Sequence, residues 1–150
     1  SVWGATGQPF GRRGQVTNRW GPWNTEAHDV DDYAFAAIRF EDDLILLLEC
    51  SWVLRMEQAS VQQLQISATE SGLELKPLRI FHDHNGYHST ETFEAPDPQR
   101  PAHELSIADF VHSVQTGDEP TVPAAHGVLI SKLVDAIYKS TAERSEIPIT

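Results

Sequence analysis

The stretch Val30–Trp52 constrains the fold of this chain more than any other part of its sequence. It contains two apolar runs, Tyr33–Phe40 and Leu44–Trp52, separated by the acidic residues 41–43. Two short apolar runs around a polar turn predict a β-hairpin. The second run starts with five consecutive apolar residues, Leu44–Leu48, which predicts a strand covered on both faces. Helices can cover one face, and another domain or subunit must then cover the other.

The rest of the chain places strands before helices. Short or alternating apolar runs predict five further strands, at residues 2–6, 61–69, 73–75, 78–81 and 87–94. The pair Asn85-Gly86 predicts a tight turn before the last strand. Apolar residues at helical spacing predict two helices, Glu104–Gln115 and Pro123–Glu143, and Gly117 suits the end of the first.

This order predicts an α+β fold in a single domain, 1–150, with a mostly antiparallel open-faced β-sheet and helices packed on one face as a two-layer sandwich. Each helix carries an apolar stripe that we expect to be buried on the sheet. The stripe of the first helix consists of Ile107, Phe110, Val111 and Val114. The stripe of the second consists of Ile130, Leu133, Val134, Ile137 and Tyr138.

The negative charge of the chain argues against two classes of partner. The formal net charge is −11, whereas nucleic acids and anionic membrane surfaces require a basic face. No segment approaches the roughly 20 apolar residues of a membrane-spanning helix.

The only cysteine, Cys50, lies in the apolar hairpin and is interpreted as a small buried hydrophobe. A chain without an intrachain disulfide is typical of the cytoplasm, so we expect a cytoplasmic protein.

An irregular segment, residues 7–28, holds the side chains best suited to binding. A loop of this length in a compact domain is usually functional or disordered. Guanidinium groups bind carboxylates and hydroxyls, and indole faces stack on sugar rings. The candidate substrate-binding residues are Arg12, Arg13, Arg19, Trp20, Trp23, Asn24 and His28. The same side chains also suit a loop that docks on a neighbouring subunit, and the sequence leaves both interpretations open.

Two further clusters contain residue types found in chemical sites. The first consists of His82, Asp83, His84 and His88. These are candidate metal ligands, although a solvated hairpin tip has the same composition. The second consists of Asp29, Asp31 and Asp32. Paired carboxylates suit acid–base chemistry, but a charged strand start bonded to nearby backbone amides is the simpler interpretation.

Several motifs follow one another in a fixed order. Those around the hairpin are Val30-Asp31-Asp32-Tyr33, residues 36–40 and Leu48-Glu49-Cys50-Ser51-Trp52. Those that follow are Ile66-Ser67-Ala68-Thr69-Glu70-Ser71-Gly72, Gly117-Asp118-Glu119-Pro120 and Ala136-Ile137-Tyr138-Lys139-Ser140. Their order and spacing resemble the C-terminal domain of the Gfo/Idh/MocA family of NAD(P)-dependent sugar and cyclitol oxidoreductases.

The resemblance implies that this chain is the substrate-binding and oligomerisation domain of a longer enzyme. That parent would transfer a hydride between NAD or NADP and a hydroxyl carbon of a sugar or cyclitol. The family's Rossmann domain, with its glycine-rich fingerprint, and its catalytic lysine lie outside this sequence, and we expect this chain to begin within a longer protein. We therefore expect no catalytic residue, no bound cofactor and no metal in this chain alone.

The resemblance also implies partners. They are the parent's own Rossmann domain, the sugar or cyclitol substrate, and a second copy bound through the open sheet face. The residues expected at that interface are Tyr33, Phe35, Ile45 and Leu47. The alternative is a stand-alone binding or assembly module without an enzymatic parent.

Overall fold

The structure, a computed structural model, describes residues 1–13, 21–53, 56–58, 60–94 and 100–149. They form β1 (Val2–Gly7), a 3₁₀ turn (Gly11–Arg13), β2 (Tyr33–Arg39), β3 (Ile45–Ser51), β4 (Gln65–Ser67), β5 (Ser71–Glu74), β6 (Leu78–His84), β7 (Tyr87–Phe93), α1 (Ala102–Thr116) and α2 (Ala124–Glu143). The predicted α+β class is confirmed.

By their contacts the residues divide into two compact units, the first with Ser1–Arg55 and Thr121–Thr150 and the second with Met56–Pro120. That residues 1–150 form a single domain stays a prediction.

The predicted hairpin at Val30–Trp52 is present in the first unit. β2 and β3 pair antiparallel, with Ala37 opposite Leu47, and Asp43 turns the chain with a φ of 58°. β1 pairs antiparallel with the other edge of β2. The first sheet therefore has the order β1-β2-β3.

The core of the first unit lies between this sheet and α2. Its buried residues are Val2, Ala36, Ile38, Ala136, Ile137 and Ile147. The strand residues in this set alternate along the chain, because alternate side chains of a strand point to the same face. Gly4 allows the helix to approach closely, since a Cβ there would meet Cγ2 of Ile137 at 2.8 Å and its Cα at 3.0 Å.

Helix α2 covers less of the sheet than the sequence predicts. Of its predicted stripe, Ile137 is buried and Leu133 is partly buried. The exposed members are Ile130, Val134 and Tyr138. α2 packs along β1, and β3 is exposed along its whole length, Cys50 included. The expectations that helices cover one face of this strand and that Cys50 is buried are therefore wrong. Cover of the other face by another domain or subunit stays a prediction.

The second unit contains a four-stranded antiparallel sheet of order β4-β5-β6-β7. Asn85 and Gly86, with φ values of 52° and 83°, join β6 to β7, which confirms the predicted tight turn. β7 is an exposed edge strand, as predicted. β4 is only Gln65–Ser67, which is shorter than the strand predicted at 61–69.

Helix α1 ends as the sequence predicts. Gly117 follows it with a φ of 80°, and its N–H donates to the Ser113 carbonyl at 2.9 Å. The expected burial of the α1 stripe is wrong, because α1 buries none of its residues. Among the described residues, no helix combines the length and apolarity needed to cross a membrane.

We expect Ile137→Ala to lower the free energy of unfolding of the 150-residue chain by about 2–5 kcal/mol, because it leaves a cavity between β1 and α2. Ile130→Ala, on the same helix but 59% exposed, is the control and should change the unfolding free energy by no more than about 0.5 kcal/mol. Urea denaturation measures both. Equal losses for the two variants would contradict the position of the core.

Candidate functional site

The carboxylate of Asp32 lies immediately before β2 and is completely buried. Its Oδ2 accepts hydrogen bonds from the backbone N–H of Phe10 at 2.5 Å and of Gly11 at 3.0 Å. The Gly11 N–H also lies 3.1 Å from Oδ1. A buried carboxylate is stabilised only when such donors replace its water. The interpretation of the acidic cluster as a strand start bonded to backbone amides is therefore confirmed for Asp32.

The backbone of Asp32 makes further connections. Its N–H donates to the Gly7 carbonyl at 2.7 Å, and its carbonyl accepts the Ser51 hydroxyl at 2.7 Å. One residue thus joins the end of β1, the end of β3 and the segment Phe10–Arg13. We call that segment the anchored turn.

His28 lies against the same carboxylate. Its side chain is 7% exposed, and its Nε2 lies 3.3 Å from Oδ1 of Asp32. The alignment is not that of a hydrogen bond, so the contact is an ion pair when the imidazole is protonated. The ring also fills the space above Gly11, where an added Cβ would overlap the imidazole. Only glycine fits at position 11 while His28 keeps this place.

Two tryptophans surround His28. The indole N–H of Trp23 donates to the Gly11 carbonyl at 3.0 Å. The rings of Trp23 and Trp52 meet edge to face with centroids 5.5 Å apart, and the His28 ring lies 5.6 Å from that of Trp52. Such contacts stabilise aromatic pairs beyond the area that they bury. We call Trp23, His28 and Trp52 the aromatic cluster.

The anchored turn carries two exposed cations, Arg12 and Arg13. The Nε of Arg12 donates to the His28 carbonyl at 3.3 Å. The backbone N–H of Arg13 donates to the Phe10 carbonyl at 2.9 Å. Both guanidinium groups therefore extend from a backbone that is fixed on Asp32, His28 and Trp23.

The predicted binding set is only partly brought together. Arg12, Arg13, Trp23 and His28 lie in one site. Asn24 has a local role, because its Oδ1 accepts the backbone N–H groups of Glu26 at 3.0 Å and Ala27 at 3.3 Å. Arg19 and Trp20 lie outside the described residues.

Sequence reasoning missed two members of the site, Gly11 and Trp52. It included Asp32 as a strand start bonded to backbone amides, but the link of Asp32 to residues 10 and 11 has no signature in the sequence. The four-residue spacing of His28 and Asp32 was visible in the sequence. This spacing brings two side chains together in a helix, whereas residues 28–32 are not helical, so it did not predict the contact.

Beside the site, Asp31 joins β2 to α2. Its carboxylate accepts a hydrogen bond from the Tyr138 hydroxyl, and this bond, with the negative charge of Asp31 and some burial, raises the pKa of Tyr138. The backbone carbonyl of Asp31 accepts the indole N–H of Trp52 at 3.0 Å. Asp31 therefore contacts the aromatic cluster as well as the helix.

The histidine cluster of the second unit lies on β6 and β7. The His82 and His84 rings stack with centroids 5.6 Å apart, and His88 Nδ1 lies 3.3 Å from Asp83 Oδ1. Within the described ranges, no group of three or more histidine, cysteine, aspartate or glutamate side chains is arranged to hold a metal ion.

The described residues do not fit a nicotinamide dinucleotide. Such a cofactor is held by a glycine-rich turn between a strand of a parallel sheet and a helix. Every strand pair in the described part of the chain is antiparallel. Between β1 and β2, the described residues 8–13 and 21–32 contain no α-helix.

Comparison with known proteins gives three findings. Residues 10–149 match the sequence model of a family described as "Oxidoreductase family, C-terminal alpha/beta domain". The chain is 29% identical over 132 residues to the D-glucoside 3-dehydrogenase of Escherichia coli K12. The matched region covers 87% of this chain and 37% of that protein. It superposes with a TM-score of 0.69 on YvaA of Bacillus subtilis, a protein assigned as an oxidoreductase.

The match to YvaA has 13% identity and covers 99% of this chain but 45% of that one. At this identity it shows the fold alone. The chain therefore spans less than half the length of both proteins.

We expect Asp31→Asn to lower the pKa of Tyr138 toward the ordinary tyrosine value of about 10, because the carboxylate that favours the neutral phenol is removed. In the unchanged chain the Asp31–Tyr138 bond stabilises the fold below that value, and the stabilisation is lost as pH rises through the raised pKa of Tyr138. Ultraviolet titration of phenolate measures the shift, with Tyr138→Phe identifying the signal and Asp29→Asn as control. An unchanged titration in Asp31→Asn would rule out the bond.

Proposed function

The chain belongs to the Gfo/Idh/MocA oxidoreductase family as its C-terminal α/β domain, and from this premise we propose that it is the substrate-binding and oligomerisation domain of an NAD(P)-dependent sugar or cyclitol dehydrogenase. The parent transfers a hydride between a hydroxyl carbon of its substrate and the nicotinamide. The cofactor and the catalytic groups belong to the part of the parent that precedes this domain. This chain contributes substrate contacts and an oligomer interface.

The observation that carries the substrate role is the anchored turn. A sugar presents hydroxyl groups and apolar ring faces, which suit guanidinium donors beside an indole. Arg12 and Arg13 are exposed. The indole N–H of Trp23 donates a hydrogen bond to the carbonyl of Gly11, the residue immediately before Arg12. The similarity to a D-glucoside 3-dehydrogenase supports a glycoside or related polyol as the substrate class.

The interface role rests on the face of the first sheet that α2 does not cover. By the strand register, Trp3, Ala37 and Leu47 lie side by side on this face. The exposed or partly buried apolar residues there, which we call the outer face, are Trp3, Tyr33, Phe35, Ile45 and Leu47. Leu47 is 77% exposed. A contiguous apolar surface of this kind on a soluble protein is typical of an interaction site, and we propose a second copy of the chain as its occupant.

In the full-length protein that carries this chain, we expect Arg12→Ala/Arg13→Ala to raise the KM for a methyl glucoside about tenfold or more, since a hydrogen bond from a charged donor contributes about 1.5–3 kcal/mol. The KM for NAD⁺ or NADP⁺ should not change. Steady-state kinetics with both cofactors measures this, and Arg100→Ala, an exposed arginine of the second unit, is the control.

Two results of this experiment would count against the proposal. Absence of NAD(P)-dependent turnover by the full-length protein with any sugar or cyclitol would favour the stand-alone binding module. An unchanged sugar KM in the double variant would remove the anchored turn from the substrate site.

We also expect the chain to self-associate at tens of micromolar and Leu47→Asp to shift it toward monomer, because a charge on the outer face opposes its burial. Sedimentation velocity measures the distribution. Val128→Asp, which places the same charge at an exposed position of α2, is the matched control. A chain that is monomeric at this concentration without any substitution would contradict the interface.

A further inference from the structure

Two of the three buried polar side chains described in the first unit, His28 and Asp32, lie beneath the anchored turn. Asp32 is completely buried, and it uses both carboxylate oxygens on the backbone of two consecutive residues, Phe10 and Gly11. Those N–H groups belong to an irregular segment between β1 and β2 and have no strand partner. The carboxylate therefore holds a piece of backbone that the sheet itself does not hold.

His28 restricts the same piece of backbone from the other side. Its ring lies where a Cβ of residue 11 would be, and its carbonyl accepts the Nε of Arg12 at 3.3 Å. Trp23 adds a hydrogen bond to the Gly11 carbonyl at 3.0 Å. The turn is thus held through both the N–H and the carbonyl of Gly11, while the guanidinium group of Arg13 remains exposed.

This arrangement is separate from the hydrophobic core. None of Gly11, His28 and Asp32 belongs to the core cluster formed by the first sheet, α2 and Ile147. The contacts beneath the turn are therefore distinct from those that form the core. We expect their loss to act mainly on the position of the two arginines.

We propose that Asp32 and His28 are positioning residues that hold the Phe10–Arg13 turn in one conformation and so present Arg12 and Arg13 to the substrate. This inference rests on the proposed substrate role of the turn. Neither Asp32 nor His28 touches the substrate. They act by removing conformational freedom before binding, which increases affinity without adding a contact.

The first experiment measures the position of the turn without substrate. In the full-length protein, trypsin cleavage after Arg12 or Arg13 is followed by mass spectrometry, since a protease cuts backbone that has left its ordered conformation. Asp32→Asn keeps the size of the side chain but offers one acceptor oxygen instead of two to the backbone N–H groups of Phe10 and Gly11. We therefore expect faster cleavage after Arg12 and Arg13 in this variant. Asp29→Asn, an exposed aspartate of the same segment, is the control and should be cleaved at the original rate.

The second experiment tests the contact between Gly11 and His28 by a double-mutant cycle. Gly11→Ala alone forces the imidazole or the turn to move, and we expect the sugar KM to rise roughly ten- to hundredfold, as misplacement of a binding group produces. In Gly11→Ala/His28→Ala the imidazole that the added methyl group would overlap is gone. The double variant should therefore have a lower sugar KM than the product of the two single effects predicts.

The two measurements separate the inference from the proposed function. Faster cleavage with a raised sugar KM and an unchanged cofactor KM supports both. Cleavage in Asp32→Asn at the original rate, or strictly multiplicative effects in the cycle, overturns the positioning role. Faster cleavage with an unchanged sugar KM overturns the claim that the turn serves the substrate, even though Asp32 holds it.

Discussion

A carboxylate removed from water must be surrounded by hydrogen-bond donors, and Asp32 meets this requirement with the backbone of Phe10 and Gly11. Its own backbone binds Gly7 and Ser51. The same residue therefore fixes the ends of β1 and β3 and the course of the chain between β1 and β2. The candidate site exists because these connections converge on one position in the sequence.

Packing in the first unit is divided between two faces of one small sheet. α2 covers the inner face at β1 and β2 through Val2, Ile38 and Ile137, with Gly4 permitting the close approach. The outer face has no cover among the described residues of the chain, and β3 extends beyond the helix. An apolar surface left open in this way is the observation behind the proposed interface with a second copy of the chain.

Local sequence rules succeeded where a feature depends on neighbouring residues. The turn at Asn85-Gly86 and the end of α1 at Gly117 follow from the positive φ values that these residues tolerate. The hairpin follows from two apolar runs around an acidic turn. Burial was predicted less well, because the stripe on α1 has helical periodicity whether or not anything packs on it. Periodicity identifies a face, but it does not identify what covers that face.

The sequence by itself determined most of the strands, the helices, the sharpest turns and the segment that carries the candidate binding side chains. Only the tertiary structure showed that Asp32 holds the turn beneath Arg12, with Gly11 and His28 in contact. The physical reason is that the role of a carboxylate depends on the donors that reach it. Here those donors are 21 and 22 residues away along the chain, and they arrive because β1 and β2 pair. A cluster of aspartates is ambiguous in the sequence and has a definite role once that pairing is known.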